Sequence, residues 1–356
     1  MNKLKNFAAA AVILLLMTGL ICYSAEVGGA VFAAIDRCCR IIIPSLFAFM
    51  AFSRLLIGTG LAGLISRPFN RLFRIVPGIP EGGAALFIIS NTAGYPVGAA
   101  ALSDMVQRGQ VSKRTAEIMS IYCCAGGPAF MINAIGVSVF GSFGVGLCVF
   151  LAVLSANTVL AAVVNRLYRP DKITPVKTEN SISEELIGSV TGAGEAVLKM
   201  CAVIVFFSAV MAAAEAAGLF SMLSELPELS EGGKALLRSV FEITNAAQIP
   251  QNSYKSIPLL AAICSFGGIS VLMQIKCAAG NSISLNKLYK WLPVKGALTF
   301  GFTKLYLPLL SDDSIPTFSR SPEIIGNLDN LLPSLCLIMM IFILILQKRL
   351  DFFHHM

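Results

Sequence analysis

Apolar segments of nearly membrane-spanning length recur along this 356-residue chain. A helix needs about 20 apolar residues to cross a hydrocarbon core of about 30 Å. Because hydrocarbon offers the backbone no hydrogen bonds, each spanning segment must satisfy its own backbone as a helix. The pattern predicts an all-α polytopic membrane protein with about eight transmembrane helices, at 7–24, 38–59, 117–137, 140–164, 195–217, 257–278, 293–310 and 331–347.

Composition supports the same fold class. Hydrophobic residues make up 56% of the chain and charged residues only 13%, whereas a soluble domain carries about 25% charged residues. The net charge of +7 comes from short basic clusters between apolar segments, where such clusters set membrane topology. We therefore expect membrane lipid as a partner and no nucleic acid.

Histidine and cysteine usage argues against catalysis. The only histidines in the sequence are His354 and His355, which excludes Ser-His-Asp and Cys-His catalysis. The ten cysteines lack the paired spacing of a zinc or iron–sulfur site. A Gly-x-x-x-x-Gly-Lys-Ser/Thr nucleotide loop is also absent from the sequence. We predict that the protein is not an enzyme and uses no cofactor or metal.

Two further apolar segments, 84–105 and 233–252, are interrupted by glycine, proline and asparagine. We interpret them as re-entrant helical hairpins, since broken backbone at membrane depth is tolerated only where protein or water surrounds it. With this assignment every short basic loop falls on one side of the membrane, which the positive-inside rule makes the cytoplasm. Both termini are then predicted to be cytoplasmic.

The two interrupted segments belong to a weak internal repeat. Ser90–Pro96 resembles Thr244–Pro250, and Cys123–Asn133 resembles Cys264–Gln274. Because the predicted topology starts one copy outside and the other inside, the copies form an inverted repeat of the kind found in transporters. The predicted units are an N-terminal transmembrane helix (1–34), a first repeat with a connecting helix (35–166), a cytoplasmic linker (167–194), a second inverted repeat (195–292) and C-terminal transmembrane helices (293–356).

Each copy contains a glycine pair that breaks a spanning helix, Gly126-Gly127 in the first and Gly267-Gly268 in the second. The N–H groups at the start of a helix after such a break favour a bound anion. Polar side chains near the hairpin tips and after the breaks would complete a substrate-binding shell: Asn91, Thr92, Tyr95, Asn133, Asn245, Gln248 and Gln274. The alternative is that these side chains only hold helices together.

Ionisable residues inside membrane segments are costly and commonly functional. Glu242, Lys199 and Arg40 are therefore candidates for ion or proton coupling. Arg40 and Lys199 could instead extend to the membrane interface, and Glu242 could serve as an internal ion-pair partner. Lys304 lies deep in the predicted seventh span, where it could pair with Glu242 or Glu215.

Three motifs in order, Ile43–Met50, Gly94–Ala99 and Ala125–Phe130, resemble the YlbJ-like sporulation integral membrane proteins of the nucleoside-recognition or Gate-domain superfamily. The similarity covers about residues 35–345. That family usually carries an Asn pair where this chain has Cys123-Cys124. The resemblance implies a multipass, transporter-like protein of the mother-cell membrane around the forespore. It also implies a link to movement of dipicolinic acid, a flat aromatic dicarboxylate, into the forespore.

Three functions are consistent with these observations. The first is transport of a small anion, which we expect to be dipicolinic acid, into the forespore. Tyr95 or a phenylalanine would stack on its ring. The second is transport of a nucleoside or another small solute by the same fold. The third is a non-transporting membrane scaffold for spore-envelope assembly, which predicts that substitutions at the hairpin tips are tolerated. The sequence also allows a homo-oligomer.

Overall fold

A computed structural model describes residues 2–75, 77–174, 181–219, 231–243 and 256–310. Within these ranges every regular element is a helix, which confirms the all-α class. The helices are α1 (Asn2–Cys22), α2 (Ser24–Arg37), α3 (Ile43–Gly58), α4 (Ala62–Ile75), α5 (Ala84–Ala93), α6 (Tyr95–Gln107), α7 (Lys113–Cys123), α8 (Ala129–Val139), α9 (Phe143–Tyr168), α10 (Ile182–Ala216), α11 (Glu231–Phe241), α12 (Ile257–Cys264), α13 (Gly268–Ala279) and α14 (Asn286–Leu310). A short π-helical segment, Cys38–Ile42, joins α2 to α3.

Membrane-spanning stretches are fewer than predicted among the described residues. Phe143–Tyr168, Ile182–Ala216 and Ile257–Ala279 are each long and apolar enough to cross a membrane. Ala10–Cys22 and Ser24–Arg40 meet this criterion only as a pair and are bent by 92°, so they add at most one span. The described part of the chain thus holds three or four candidate spans, and the predicted total of about eight is not confirmed. The predicted span 331–347 lies outside the described residues.

Helix α10 begins earlier than the predicted second repeat. Its first residue is Ile182, within the segment predicted as a linker. The Ser181 hydroxyl accepts the N–H of Glu184, and the Glu184 carboxylate accepts the N–H of Ser181. This capping box satisfies two donors that a helix start otherwise leaves unpaired. The Ser-Ile-Ser-Glu sequence, which lies within the predicted linker, is a recognisable start signal for this helix.

The first interrupted segment is divided into two contacting helices at the predicted break, and its re-entrant placement stays a prediction. Helices α5 and α6 contact each other and are separated by Gly94, whose φ of +108° is a conformation that L side chains rarely adopt. Most of α6 is buried. A Cβ on Gly98 would collide with the carbonyl oxygen of Cys123, so the glycine lets α6 pack directly on the backbone at the end of α7.

The predicted break after α7 is also present. Residues 124–127 are not helical, and the helical backbone resumes at Pro128, a residue suited to the first turn of a helix. The new helix, α8, has π-helical hydrogen bonding. A Cβ on Gly136 of α8 would collide with the backbone of Gly146 in α9. The two glycines therefore permit a close crossing that fixes α8 against α9.

The two predicted repeats share one packed interior. Helix α6 contacts α3, α5, α7 and α13, and α9 contacts α7, α8, α12 and α14. Helix α10 packs on α2, α3 and α13. The second hairpin is seen only as α11, because residues 244–255 lie outside the described residues. The inverted relation between the copies therefore stays a prediction.

Candidate functional site

The tip of the first hairpin lies directly on the first helix break. A Cβ on Gly127 would come within 2.6 Å of the Thr92 carbonyl oxygen and 3.2 Å of the Gly94 nitrogen. A Cβ on Gly126 would approach the Tyr95 ring at 2.8 Å. Both glycines are buried. The absence of side chains at 126 and 127 is what allows the two interrupted segments to meet.

Tyr95 connects this first break to the second half of the chain. Its hydroxyl donates a hydrogen bond to the carbonyl oxygen of Cys264, the last residue of α12. Its ring meets Phe130 edge to face, with centroids 6.3 Å apart. The side chain is buried. Tyr95 therefore occupies the space between the two breaks that the sequence predicted to converge.

Lys295 also reaches the first helix break, although the sequence did not single it out as a site residue. Lys295, in the middle of α14, is only 1% exposed, and its ammonium group donates to the carbonyl oxygen of Cys124 at 2.6 Å. This carbonyl is its one hydrogen-bond acceptor among the described residues, and none of the described ion pairs includes it. An ammonium group has three donors, and a buried charge is costly unless it is paired. Lys295 is thus an incompletely compensated cation at the break.

Backbone donors lie beside this cation. The N–H groups of Gly126 and Gly127 have no hydrogen-bond acceptor among the described protein groups, although buried backbone donors are nearly always paired. They immediately precede the N-terminus of α8, where the helix dipole is positive. Lysine charge, orphan N–H groups and a helix start therefore create a positive, donor-rich region at one position.

The sequence signal that could have identified Lys295 is the lack of any aspartate or glutamate near it in the chain. No aspartate or glutamate occurs between Glu242 and Asp312, so no helical neighbour can neutralise this lysine. By contrast, Lys199 and Arg40 each have an acid four residues earlier in the sequence, at Glu195 and Asp36. That spacing places each pair on one helix face.

The structure shows these two pairs formed at exposed positions. Arg40 bonds Asp36 at 2.6 Å, and Lys199 bonds Glu195 at 2.5 Å. Neither base reaches the breaks, and their predicted coupling role has no geometric support from this arrangement. The remaining coupling candidate, Glu242, is half-buried just after α11.

Lys304 does not pair with Glu215. It is exposed and lies over the Phe300 ring, 4.8 Å from the centroid. Glu215 instead approaches Arg238 of α11 at 3.5 Å. The deep cation of α14 is therefore Lys295, nine residues before the one that the sequence suggested.

The second break is present at its predicted position. Gly267 and Gly268 both have positive φ, +79° and +80°, between α12 and α13. A Cβ on Gly268 would come within 2.9 Å of the Val240 carbonyl oxygen and 3.0 Å of the Ser239 carbonyl oxygen. This break is thus packed on the end of α11, the first part of the second predicted hairpin.

The predicted polar shell is only partly assembled. Asn91 is buried: its amide donates to the Phe87 and Tyr122 carbonyls, and its oxygen accepts from Asn157 at 2.7 Å. Thr92 is exposed, and its hydroxyl donates to carbonyls of its own helix. These contacts agree with the alternative that such residues hold helices together.

Other predicted shell residues lie away from the centre or outside the described ranges. Asn133 is exposed on α8, and Gln274 is half-buried on α13. Asn245 and Gln248 belong to the segment that lies outside the described residues. Within the described ranges no group of three His, Cys, Asp or Glu side chains could hold a metal ion.

Comparison with known proteins gives one relevant similarity. The chain is 30% identical over 111 residues to the sporulation integral membrane protein YlbJ of Bacillus subtilis (strain 168). That stretch is 30% of this chain, and it spans about a quarter of the length of the curated relative. No family model and no solved structure matches. The apolar helices and this similarity together show that the chain is an integral membrane protein.

Proposed function

We propose that this protein transports a small carboxylate anion across a membrane and binds it at the break between α7 and α8. The observation that carries the proposal is Lys295, a 1%-exposed ammonium group whose one described acceptor is the Cys124 carbonyl. A buried, hydrogen-bonded counter-ion would remove most of the cost of burying this charge. The orphan N–H groups of Gly126 and Gly127 supply donors for the same anion.

The surroundings suit an anion that carries an aromatic ring. Tyr95 and Phe130 lie against the break with their rings edge to face, and aromatic side chains favour ring contacts of this type. One carboxylate would bind Lys295 and the glycine N–H groups. A second carboxylate would reach towards the other break, whose neighbouring carbonyl at Cys264 is now held by Tyr95.

Dipicolinic acid is the substrate that we propose, with the forespore as its destination. Two observations support it: the sequence motifs of the YlbJ-like family and the similarity to a protein named for sporulation. A flat dianion with a ring between its two carboxylates would offer one carboxylate to Lys295 and its ring to Tyr95 and Phe130. Movement of the anion would require Tyr95 to release Cys264, so that both ends of the site become accessible.

Ligand-dependent thermal stability of the purified full-length chain in detergent tests this proposal. A ligand that binds only the folded state stabilises it by about 2.7 kcal/mol at 100 times its Kd. We expect dipicolinate to raise the melting temperature of the wild type and of Lys290→Met, which removes an exposed lysine of the same helix. Lys295→Met should remove the increase.

Three outcomes would reject the proposal. The first is an equal dipicolinate response in Lys295→Met and the wild type, which would place the anion elsewhere. The second is a response to uridine with none to dipicolinate, which would favour a nucleoside carrier. The third is the absence of any response to either solute in a folded protein, as expected of a membrane scaffold.

A further inference from the structure

A second charged cluster joins three helices far along α6 from the break. Arg54 of α3 contacts Asp104 of α6 at 3.0 Å and donates to the carbonyl of Gly192 in α10 at 3.2 Å. Arg108, just after α6, forms two parallel hydrogen bonds of 3.0 Å with Glu185 of α10. We call Arg54, Asp104, Arg108 and Glu185 the ion-pair clasp. The charge pattern of the loops predicts that this end of α6 faces the cytoplasm.

Glycine backbones hold the clasp in place. A Cβ on Gly58 of α3 would collide with the Glu185 carboxylate, and a Cβ on Gly192 would lie 2.7 Å from the Arg54 guanidinium carbon. Glu185 and Arg54 are therefore each seated on the bare backbone of a neighbouring helix. The clasp depends on close contact among α3, α6 and α10, and separation of these helices would expose it to water.

The two acids of the clasp are not equivalent. Glu185 has a partner on each carboxylate oxygen. Asp104 has Arg54 on Oδ1, but its Oδ2 is buried and has no hydrogen-bond partner among the described residues, while its side chain is 9% exposed. Leaving a buried polar atom unsatisfied is costly, and more so when the group is charged. The arrangement in which the clasp is formed, which we call the closed arrangement, thus disfavours the ionised form of Asp104.

We propose that Asp104 is a proton-binding site of this protein. In the closed arrangement a proton from water forms an O–H bond at Oδ2, and the carboxylate changes from a charge of −1 to neutral. When α3, α6 and α10 separate and water reaches Asp104, hydration stabilises the carboxylate and the proton leaves. Because the closed state binds the proton more tightly than the open state, the proton favours closure.

The charges around Asp104 include one other buried acid, Glu185, whose two carboxylate oxygens are both bonded by Arg108. Helix α3 contributes Arg54, α10 contributes Glu185, and the turn after α6 contributes Arg108. Helix α5 carries no charged residue. The remaining charges on packed helices are engaged elsewhere or exposed. Lys276 of α13 bonds the Gly280 carbonyl, and Glu117 of α7 pairs with Lys287. Exposed charges are Lys113 and Arg114 of α7 and Glu184, Glu195, Lys199 and Glu215 of α10.

Carbodiimide labelling tests the proposal without any transported solute. Dicyclohexylcarbodiimide is apolar and reacts with protonated carboxyl groups, so mass spectrometry of the labelled full-length protein should find Asp104 modified at mildly acidic pH. The modification should decrease as pH rises. Asp171, exposed and bonded by Ser112 and Thr115, serves as the internal control and should stay unmodified. An unmodified Asp104 in folded protein at acidic pH would overturn the proposal.

Thermal unfolding supplies a second, independent measurement. Asp104→Asn mimics the neutral carboxyl, so it should keep its melting temperature as pH rises from about 5 to about 8, while that of the wild type falls. Asp171→Asn, which changes an exposed acid outside the clasp, should retain the wild-type pH response. Parallel pH responses in the wild type and Asp104→Asn would contradict proton binding at Asp104. Neither measurement involves an anion, so a negative result in both would reject proton binding at Asp104 without affecting the proposed anion transport. Likewise, a failure of dipicolinate to bind would not affect the proposal for Asp104.

Discussion

The ammonium group of Lys295 lies 2.6 Å from the carbonyl oxygen of Cys124, the residue that follows the last turn of α7. A charge thus reaches the interior where the backbone is broken and where the N–H groups of Gly126 and Gly127 lack an acceptor among the described residues. Burial of a lysine beside one carbonyl does not stabilise a fold, because desolvation costs several kcal/mol per ion. The contact between Lys295 and Cys124 therefore favours a role for Lys295 in binding an anion rather than in stabilising the fold.

Lys295→Met should leave the protein as stable as the wild type or raise its melting temperature. Methionine fills a similar volume, and replacement of buried charges by apolar side chains is often neutral or stabilising by about 1–4 kcal/mol. Anion binding should fall at least about tenfold, which corresponds to about 1.4 kcal/mol. Thermal unfolding and dipicolinate titration of the same preparation measure both effects. A marked loss of stability would assign Lys295 to the packing of the fold.

Tyr95→Phe should lower stability by about 1 kcal/mol, the usual net value of a lost hydrogen bond, because the Cys264 carbonyl loses its donor. Tyr306→Phe is a matched control, since the Tyr306 hydroxyl bonds Ser155 at 2.9 Å between α9 and α14. Both variants should unfold at slightly lower temperature. Only Tyr95→Phe should change the rate of anion exchange, and equal rates in the two variants would count against Tyr95 as the moving contact.

Gly98→Ala should destabilise the protein by about 1–3 kcal/mol, the usual cost of overpacking. The new methyl group would collide with the Cys123 carbonyl, which is backbone and cannot rotate away. Gly301→Ala provides the control, because nothing lies within 4 Å of a Cβ at that position of α14. Alanine there should stabilise the helix slightly. Equal melting temperatures for the two variants would contradict the close packing of α6 on α7.

Asn91→Ala tests whether this residue binds solute or holds helices. Its amide hydrogen-bonds to α5, α7 and α9, so the substitution leaves buried partners unsatisfied at a cost of about 1–3 kcal/mol. We expect a lower melting temperature with an unchanged dipicolinate response in the folded fraction. A normal melting temperature combined with a lost response would make Asn91 a binding residue after all.

Sequence patterns located the breaks but not the charge that meets them. Glycines at 94, 126, 127, 267 and 268 interrupt apolar runs, and an interruption is a local property of the chain. Lys295 stands at the start of an apolar segment, where an interfacial lysine is common, and only tertiary packing directs it to Cys124. Pairs such as Arg54 and Asp104 are separated by 50 positions, so no local spacing predicts them.

The number of spans was harder to predict for a related reason. Hydropathy measures apolar length and does not reveal whether a neighbouring protein segment or lipid covers it. Segment 84–105 is apolar because protein surrounds it: Leu102 is fully buried, and α6 contacts four other helices. The 92° bend near Tyr23 likewise separates α1 from α2, which meet the length and hydropathy criterion for a span only as a pair.

Uptake into proteoliposomes tests whether the protein transports dipicolinate and whether Lys295 binds it. Full-length protein, reconstituted as wild type, Lys295→Met and Lys290→Met, is supplied with radiolabelled dipicolinate, and unlabelled uridine is added as a competitor. We expect uptake by the wild type and by Lys290→Met, at least about tenfold less uptake by Lys295→Met, and no competition by uridine. Dipicolinate uptake by Lys295→Met at the wild-type rate, or no uptake by any folded preparation, would contradict the proposal.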